Sequence, residues 1–535
     1  MIRKLLIALA LTAPTVARGE WHEATSPNFI VYAEGSEQDA RDYAAKLERF
    51  HYVLRTFHHV AANQSPVRLR VFLLPSASAV GRMIGSSSVA GYYVPDARGL
   101  MLVGTNAHVT NASGDPRSQT YEGGAVLEPE SILLHEYTHH FTFEYFPATY
   151  PTWYSEGFAE FWGATRFDPN DVVRVGLPAE HRFSTFRALG WLPIDQLLRA
   201  HNYRDVGGAN VFLLYAEGWL ICRYIFEHPN RKRQVDQYLT LINGGASYED
   251  ATRQAFPDLE AFNAELYAYA GSGHFNEVRL PFRTIDVGQI AVRTLRPAEE
   301  ALISDEIKLS QGYPQREAAD FANHVRGIAS RYPDDPFAIR MVMETAYLAG
   351  DNAAASAAAD RLLAIEPNNA RALTTRGSIQ IAGLAAAHST SAAAWAGARD
   401  NFLRARRAAA NDPLVLEAYY QSFVAQGVLP PEDAQNALYS AMELAPSDGE
   451  LRYQLARDFE QRRMIPEAIA IIRPEAYQVP HRGNESESDK RHREEREIRE
   501  RQAGRQHHES ALEMLTRLEG ELGTADRQRQ SEAGH

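Results

Sequence analysis

The chain has 535 residues, 45% hydrophobic and 23% charged, with a formal net charge of −13. That length exceeds one ordinary core, so two or more domains are expected, and the acidic balance excludes nucleic acid as the main partner. A single cysteine, Cys222, excludes a disulfide framework and, in an apolar helical stretch, reads as a buried core thiol.

The first residues carry Arg3 and Lys4, an apolar run Leu5–Ala13 and small residues to Ala17. This pattern predicts a secretory signal peptide over 1–19, cleaved near Ala17 or Gly19, and so an exported protein, periplasmic or extracellular. The run is too short to span a bilayer, and no later stretch reaches that length. Phe29–Ala33 predicts a strand. Ala40, Tyr43, Ala44, Leu47, Phe50, Leu54 and Phe57 recur at helical spacing across Glu37–Val60. His51, His58 and His59 on that helix read as surface or packing residues. Val67, Leu69, Val71 and Leu73 alternate as in a second strand, and Gly91–Gly104 reads as a hairpin about Pro95-Asp96. Thr105–Gly124 is polar and Gly-rich, a loop.

Ser131–Phe141 contains His135-Glu136-Tyr137-Thr138-His139, an H-E-x-x-H pattern. Residues four apart share one helix face, so two imidazoles can point at one metal ion, and Glu136 can reach a water on it. Pro129 suits a first helical turn, with Glu128 and Glu130 near the positive dipole end. His140 points about 100° away from its neighbour and falls outside the site. Trp153-Tyr154-Ser155-Glu156-Gly157-Phe158-Ala159-Glu160 follows, with sixteen residues between His139 and Glu156. Catalytic zinc takes three protein ligands plus water, and a carboxylate on this second helix is a good candidate for the third. Glu160, one turn on, is placed to orient a ligand histidine or to be a surface carboxylate.

H-E-x-x-H followed by W-x-x-E-G-x-A-E resembles the gluzincin metallopeptidases, the group that includes thermolysin and aminopeptidase N. The sixteen-residue gap is most similar to the peptidase-MA-like domains of bacterial secreted proteins. The resemblance covers roughly Trp21 to Gly271. It implies an α+β fold: a small sheet, the H-E-x-x-H helix and a helical lobe. It implies one Zn2+ on His135, His139 and Glu156, Glu136 as general base, and a peptide or protein substrate. It also implies an edge strand that aligns the peptide, for which Leu100–Val103 is the candidate. An oxyanion donor on a later helix is implied too, with Tyr215 first and Tyr224 second; either can equally be a core aromatic. The Gly-x-Met-Glu-Asn run of aminopeptidases is absent.

The segment from Trp162 to Gly190 reads as loop-rich. Leu192–Ala200, Asn210–Phe226, Lys232–Ile242 and Leu259–Ala270 read as helices. The expected layout is a peptidase domain over 20–275, a linker over 276–296 and helical repeats over 297–480. Turns recur at Pro297, Pro333, Pro367, Ala410 and Pro446, in steps of 36, 34, 43 and 36 residues. A period near 34 with paired helices is the tetratricopeptide (TPR) pattern, an all-α solenoid whose concave face binds proteins or peptides. An insert around Ala385–Ala394 accounts for the long step. Residues 481–535 are highly charged and read as a disordered or solvated tail, with a weak metal-like His507-His508-Glu509. Two function classes stand: a zinc peptidase whose repeats bind substrate or a partner protein, and a binding scaffold with an inactive metal domain.

Overall fold

The computed structural model describes residues 20–61, 65–85, 89–106, 129–168, 172–281, 285–477 and 509–533. The signal-peptide stretch, most of the Thr105–Gly124 loop, and the His507-His508 pair lie outside them.

Strand β1 (Trp21–Thr25) turns through Ser26-Pro27-Asn28 into β2 (Phe29–Glu34). Helix α1 (Glu37–Phe57) starts at Ser36, whose hydroxyl accepts the Asp39 N–H while the Asp39 side chain accepts from Ser36, a reciprocal cap. It leads to β3 (Leu69–Leu74), α2 (Ala77–Ile84) and the predicted hairpin, β4 (Tyr92–Val94) and β5 (Met101–Thr105). The sheet order is β4-β5-β3-β2-β1-β9, where β9 is Ala291–Thr294. β2, β3 and β5 run parallel; β4, β1 and β9 are antiparallel to their neighbours. One face buries Phe29, Val31, Leu69 and Val71 against α1 and the metal-motif helix α3 (Pro129–Tyr145). The other face meets α2 and α12 (Pro297–Ser310) through Phe72, Leu74, Val80, Ile303 and Ile307.

After α3 the chain forms α4 (Thr152–Gly163), strands β6 (Arg166–Asp168) and β7 (Val172–Val175), and helices α5 (Glu180–Leu189), α6 (Ile194–Arg199), α7 (Tyr203–Val206), α8 (Asn210–Glu227), α9 (Pro229–Asn243), α10 (Tyr248–Ala255) and α11 (Leu259–Ser272). Trp153, Trp162 and Trp219 are fully buried: Trp162 lies edge-on to Phe57 of α1, Trp153 beside Tyr238 of α9, and Trp219 edge-on to Phe183 of α5. Each contributes roughly 2–3 kcal/mol by area alone. Cys222 is buried, as expected.

Several expectations are corrected. Leu100–Val103 is not an edge: β5 is flanked by β3 and β4, and β4 is the last strand on that side among the described residues. The Trp162–Gly190 segment holds two strands and α5, which short length and mixed polarity concealed. The 276–296 stretch is no simple linker: β8 (Val278–Pro281) pairs with β7 and β9 with β1, so partners distant in sequence order it.

The second half is a run of packed helix pairs: α13 (Ala318–Ala329), α14 (Pro336–Leu348), α15 (Asn352–Ile365), α16 (Ala370–Ala386), α17 (Ala392–Ala408), α18 (Pro413–Val424), α19 (Glu432–Leu444), α20 (Gly449–Gln461) and α21 (Ile465–Tyr477). Asp335, Asn369, Asp412 and Asp448 cap α14, α16, α18 and α20 in turn. The 43-residue step reflects α16 and α17 of 17 residues each, against 13 and 14 in α14 and α15. Helix α22 (Ala511–Ala533) corrects the solvated-tail expectation: Met514, Leu515 and Leu518 are buried against Ala468, Ile469 and Ile472 of α21. Its apolar stripe is masked in the sequence by dense charge on the opposite face.

The array lies against the α/β half along much of its length. Glu306 on α12 binds Arg70 at 2.7 Å, Arg371 on α16 donates to the Arg98 carbonyl at 2.9 Å, and Asp448 accepts the Ala97 N–H at 2.7 Å. Arg473 on α21 donates to the Asn243 carbonyl at 3.2 Å. No described helix is long and apolar enough to cross a membrane.

Candidate metal centre

Helix α4 packs against both α3 and α8. The α4–α8 contact is tight: a Cβ on Gly157 would stand 2.1 Å from the Gly218 carbonyl carbon, so both positions need glycine. Glu156, the residue before Gly157, faces the histidines of α3.

His135, His139 and Glu156 converge. Their nearest ligand atoms are His135 Nε2 to His139 Nε2 at 3.2 Å, His135 Nε2 to Glu156 Oε2 at 3.3 Å, and His139 Nε2 to Glu156 Oε2 at 3.5 Å. A tetrahedral ion with bonds of about 2.0–2.1 Å keeps its ligands about 3.3–3.4 Å apart. Three lone-pair donors at that spacing fit one zinc ion. The charge balance fits as well. Burial disfavours a charged His135, yet Glu156 and Glu160 overcome it and raise its pKa to about 10. Burial likewise opposes ionisation of Glu156, but His139 and His135 hold it well below the usual carboxylate range. The pocket therefore demands a positive charge.

Glu136 is only partly buried, beside the cluster. Burial pushes its carboxyl above the ordinary value, against the pull of both histidines and a hydrogen bond from the Tyr93 backbone N–H. A carboxylate with raised basicity suits proton abstraction. Tyr93 sits on β4, so the outermost described strand runs beside this group.

Glu160 is not a surface carboxylate. Its Oε1 lies 3.3 Å from His135 Nδ1, Arg182 Nη2 donates to the same oxygen at 2.6 Å, and His181 Nε2 lies 3.1 Å from Oε2. Glu160 thus stands between His135, His181 and Arg182. His140 stays outside the cluster, between Tyr93 Oη at 3.1 Å and Glu144 at 2.8 Å. His51 is a packing residue, its Nδ1 2.6 Å from Tyr137 Oη.

Tyr215 reaches the site, its ring stacked near His135 with centroids 6.5 Å apart. Tyr224 does not: its hydroxyl donates to Glu265 at 2.9 Å, on the far side of α8. Sequence reasoning missed Tyr203, which donates to Glu156 Oε1. Its proton being so committed, Tyr215 is the donor in the 3.3 Å Tyr215–Tyr203 contact. Burial, then the nearby Glu156, raise both phenols well above their usual range, so both remain neutral donors. Tyr203 and Arg182 lie in segments with no motif, and no sequence signal marks them. No family model matches the chain, and no curated protein matches it.

Proposed function

We propose that this chain is an exported zinc-dependent peptidase of the gluzincin type, with a peptidase-MA-like domain and TPR-like helical repeats. The observation that carries the reading is the convergence of His135, His139 and Glu156 at 3.2–3.5 Å with Glu136 alongside. A zinc ion bound there supplies Lewis acidity, polarising a peptide carbonyl and making a water easier to deprotonate.

The chain's own groups do the rest. Glu136 takes the proton from the attacking water as the new C–O bond forms, and passes it to the departing amine nitrogen as the C–N bond breaks. Tyr215 swings its hydroxyl from Tyr203 to the developing oxyanion. Tyr203 steadies Glu156, and Glu160 steadies His135. β4, the outermost described strand beside Glu136, aligns the substrate by backbone pairing.

The test uses protein from Glu20 onward, wild type beside Glu136→Gln. Zinc near one ion per chain in both, with peptide cleavage lost about a hundredfold or more in the variant, supports the enzyme. Full zinc with no cleavage of a broad peptide library in either protein leaves the binding scaffold.

A further inference from the structure

The outer face of the six-stranded sheet does not meet the helical array flush. Between them lies a cavity of about 550 Å³, within the size range of small-molecule sites. β2 and β3 present Ile30, Tyr32, Arg70 and Phe72 to it, alternating with Phe29, Val31 and Val71, which face α3. The metal centre is therefore on the other side of the sheet.

The lining carries six arginines and four carboxylates, and two carboxylates just outside it, Asp96 and Glu344, also pair with Arg98 and Arg340. We propose that this cavity is a second ligand site, independent of the metal centre, which takes an organic anion bearing two or more carboxylate groups.

Glu306 already shows which group these arginines hold. Arg70 reaches its Oε1 from the sheet at 2.7 Å, and Arg340 reaches its Oε2 from α14 at 2.7 Å. Two guanidiniums thus share one carboxylate, with Arg371 a third charge acting on it. A guanidinium has five donors in a planar fork that matches two carboxylate oxygens. Arg70 also donates to Ser310 at 3.0 Å and Arg340 to Glu344 at 3.0 Å, so a ligand carboxylate takes the donors these partners leave. Tyr32 and Phe72 stack at 4.8 Å and give the cavity an apolar floor for the ligand's carbon skeleton. At the rim, Arg371 Nε stands 3.7 Å from Asp412, on the N-terminus of α18.

The carboxylates can belong to a free polyacid or to an acidic peptide, and calorimetric titration of the full, zinc-loaded chain at 150 mM salt separates the two. The probes are citrate, a blocked hexaglutamate peptide and inorganic phosphate, each also titrated into the zinc-free chain so that heat from citrate chelating zinc is subtracted. Saturable binding of citrate assigns a free acid; binding of the peptide alone assigns a peptide. Arg371→Ala should weaken binding about tenfold. Asp412→Asn should tighten it several-fold, because asparagine still caps α18 but no longer repels the anion. Opposite signs for these two variants, with zinc content unchanged, are not expected of ion pairs that merely brace the array. The proposal is overturned if neither citrate nor peptide binds saturably, if phosphate binds as tightly as they do, or if the two variants leave affinity unchanged.

Discussion

Gly157 and Tyr203 decide whether Glu156 can act as a ligand, and neither is itself one. A methyl on Gly157 meets the Gly218 backbone, which cannot move aside as a flexible side chain would. Gly157→Ala is expected to lower stability by about 1–3 kcal/mol or more, read by chemical denaturation, and to weaken zinc binding in the same protein. Tyr203→Phe removes the hydroxyl that donates to Glu156. It should weaken zinc about ten- to a hundredfold, measured by chelator competition, with little change in fold. Tyr215→Phe should do the reverse: zinc is retained and kcat falls about a hundredfold. Equal effects of the two tyrosine variants on both readouts would show that the pair acts as one unit. The convergence of His135, His139 and Glu156 was legible in the sequence because an i, i+4 spacing puts both histidines on one helix face and H-E-x-x-H is a metal-binding pattern. Tyr203 was not, because 46 residues of intervening chain separate it from Glu156 and only folding brings them together.

At the level of elements, β4 joins the two halves of the molecule. Its Tyr93 N–H binds Glu136, and the turn that follows it is held by Asp448, which accepts the Ala97 N–H and also caps α20. The buried Ser447 lies beside the Tyr93 phenol. Asp448→Asn keeps the cap but turns one acceptor into a donor facing Ala97. Hydrogen exchange at the Ala97 amide should quicken about five- to tenfold while α20 keeps its protection, as expected for one lost buried hydrogen bond. If peptide cleavage falls in the same variant, the repeats complete the cleft rather than simply recruit substrate. The hairpin itself was readable from its Pro-Asp turn. Which of its strands lies outermost was not, because strand order depends on pairings between distant segments.

For the whole molecule, the buried acids set the pH response. Burial raises Glu217 to about 8, offset only in part by the Leu192 N–H it accepts. Its folded value lies above the unfolded one, near 4.5, so the folded state binds the extra proton. Stability from this group is full below about 4.5 and is lost as pH rises toward 8. Glu217→Gln keeps the acceptor and removes the titration. Its melting temperature relative to wild type should therefore climb between pH 5 and pH 9, by an amount worth up to a few kcal/mol. A difference that stays flat across that range would mean Glu217 is ionised in the fold. Glu417 and Glu475, raised by burial to about 7, add to the same trend from within the array.

The sequence by itself determined the local features: α1, α3, α4 and α8, the strand pair around Val31 and Val71, the repeating caps of the array and the H-E-x-x-H spacing of His135 and His139. Each follows from periodicity or from chemistry within a few turns of chain. Tertiary structure alone decided that β8 and β9 complete the two sheets, that α22 packs onto α21, that Tyr203 meets Glu156, and that the array closes over a cavity lined with arginines. Those outcomes depend on which distant surfaces bury each other, and no short window of sequence records that.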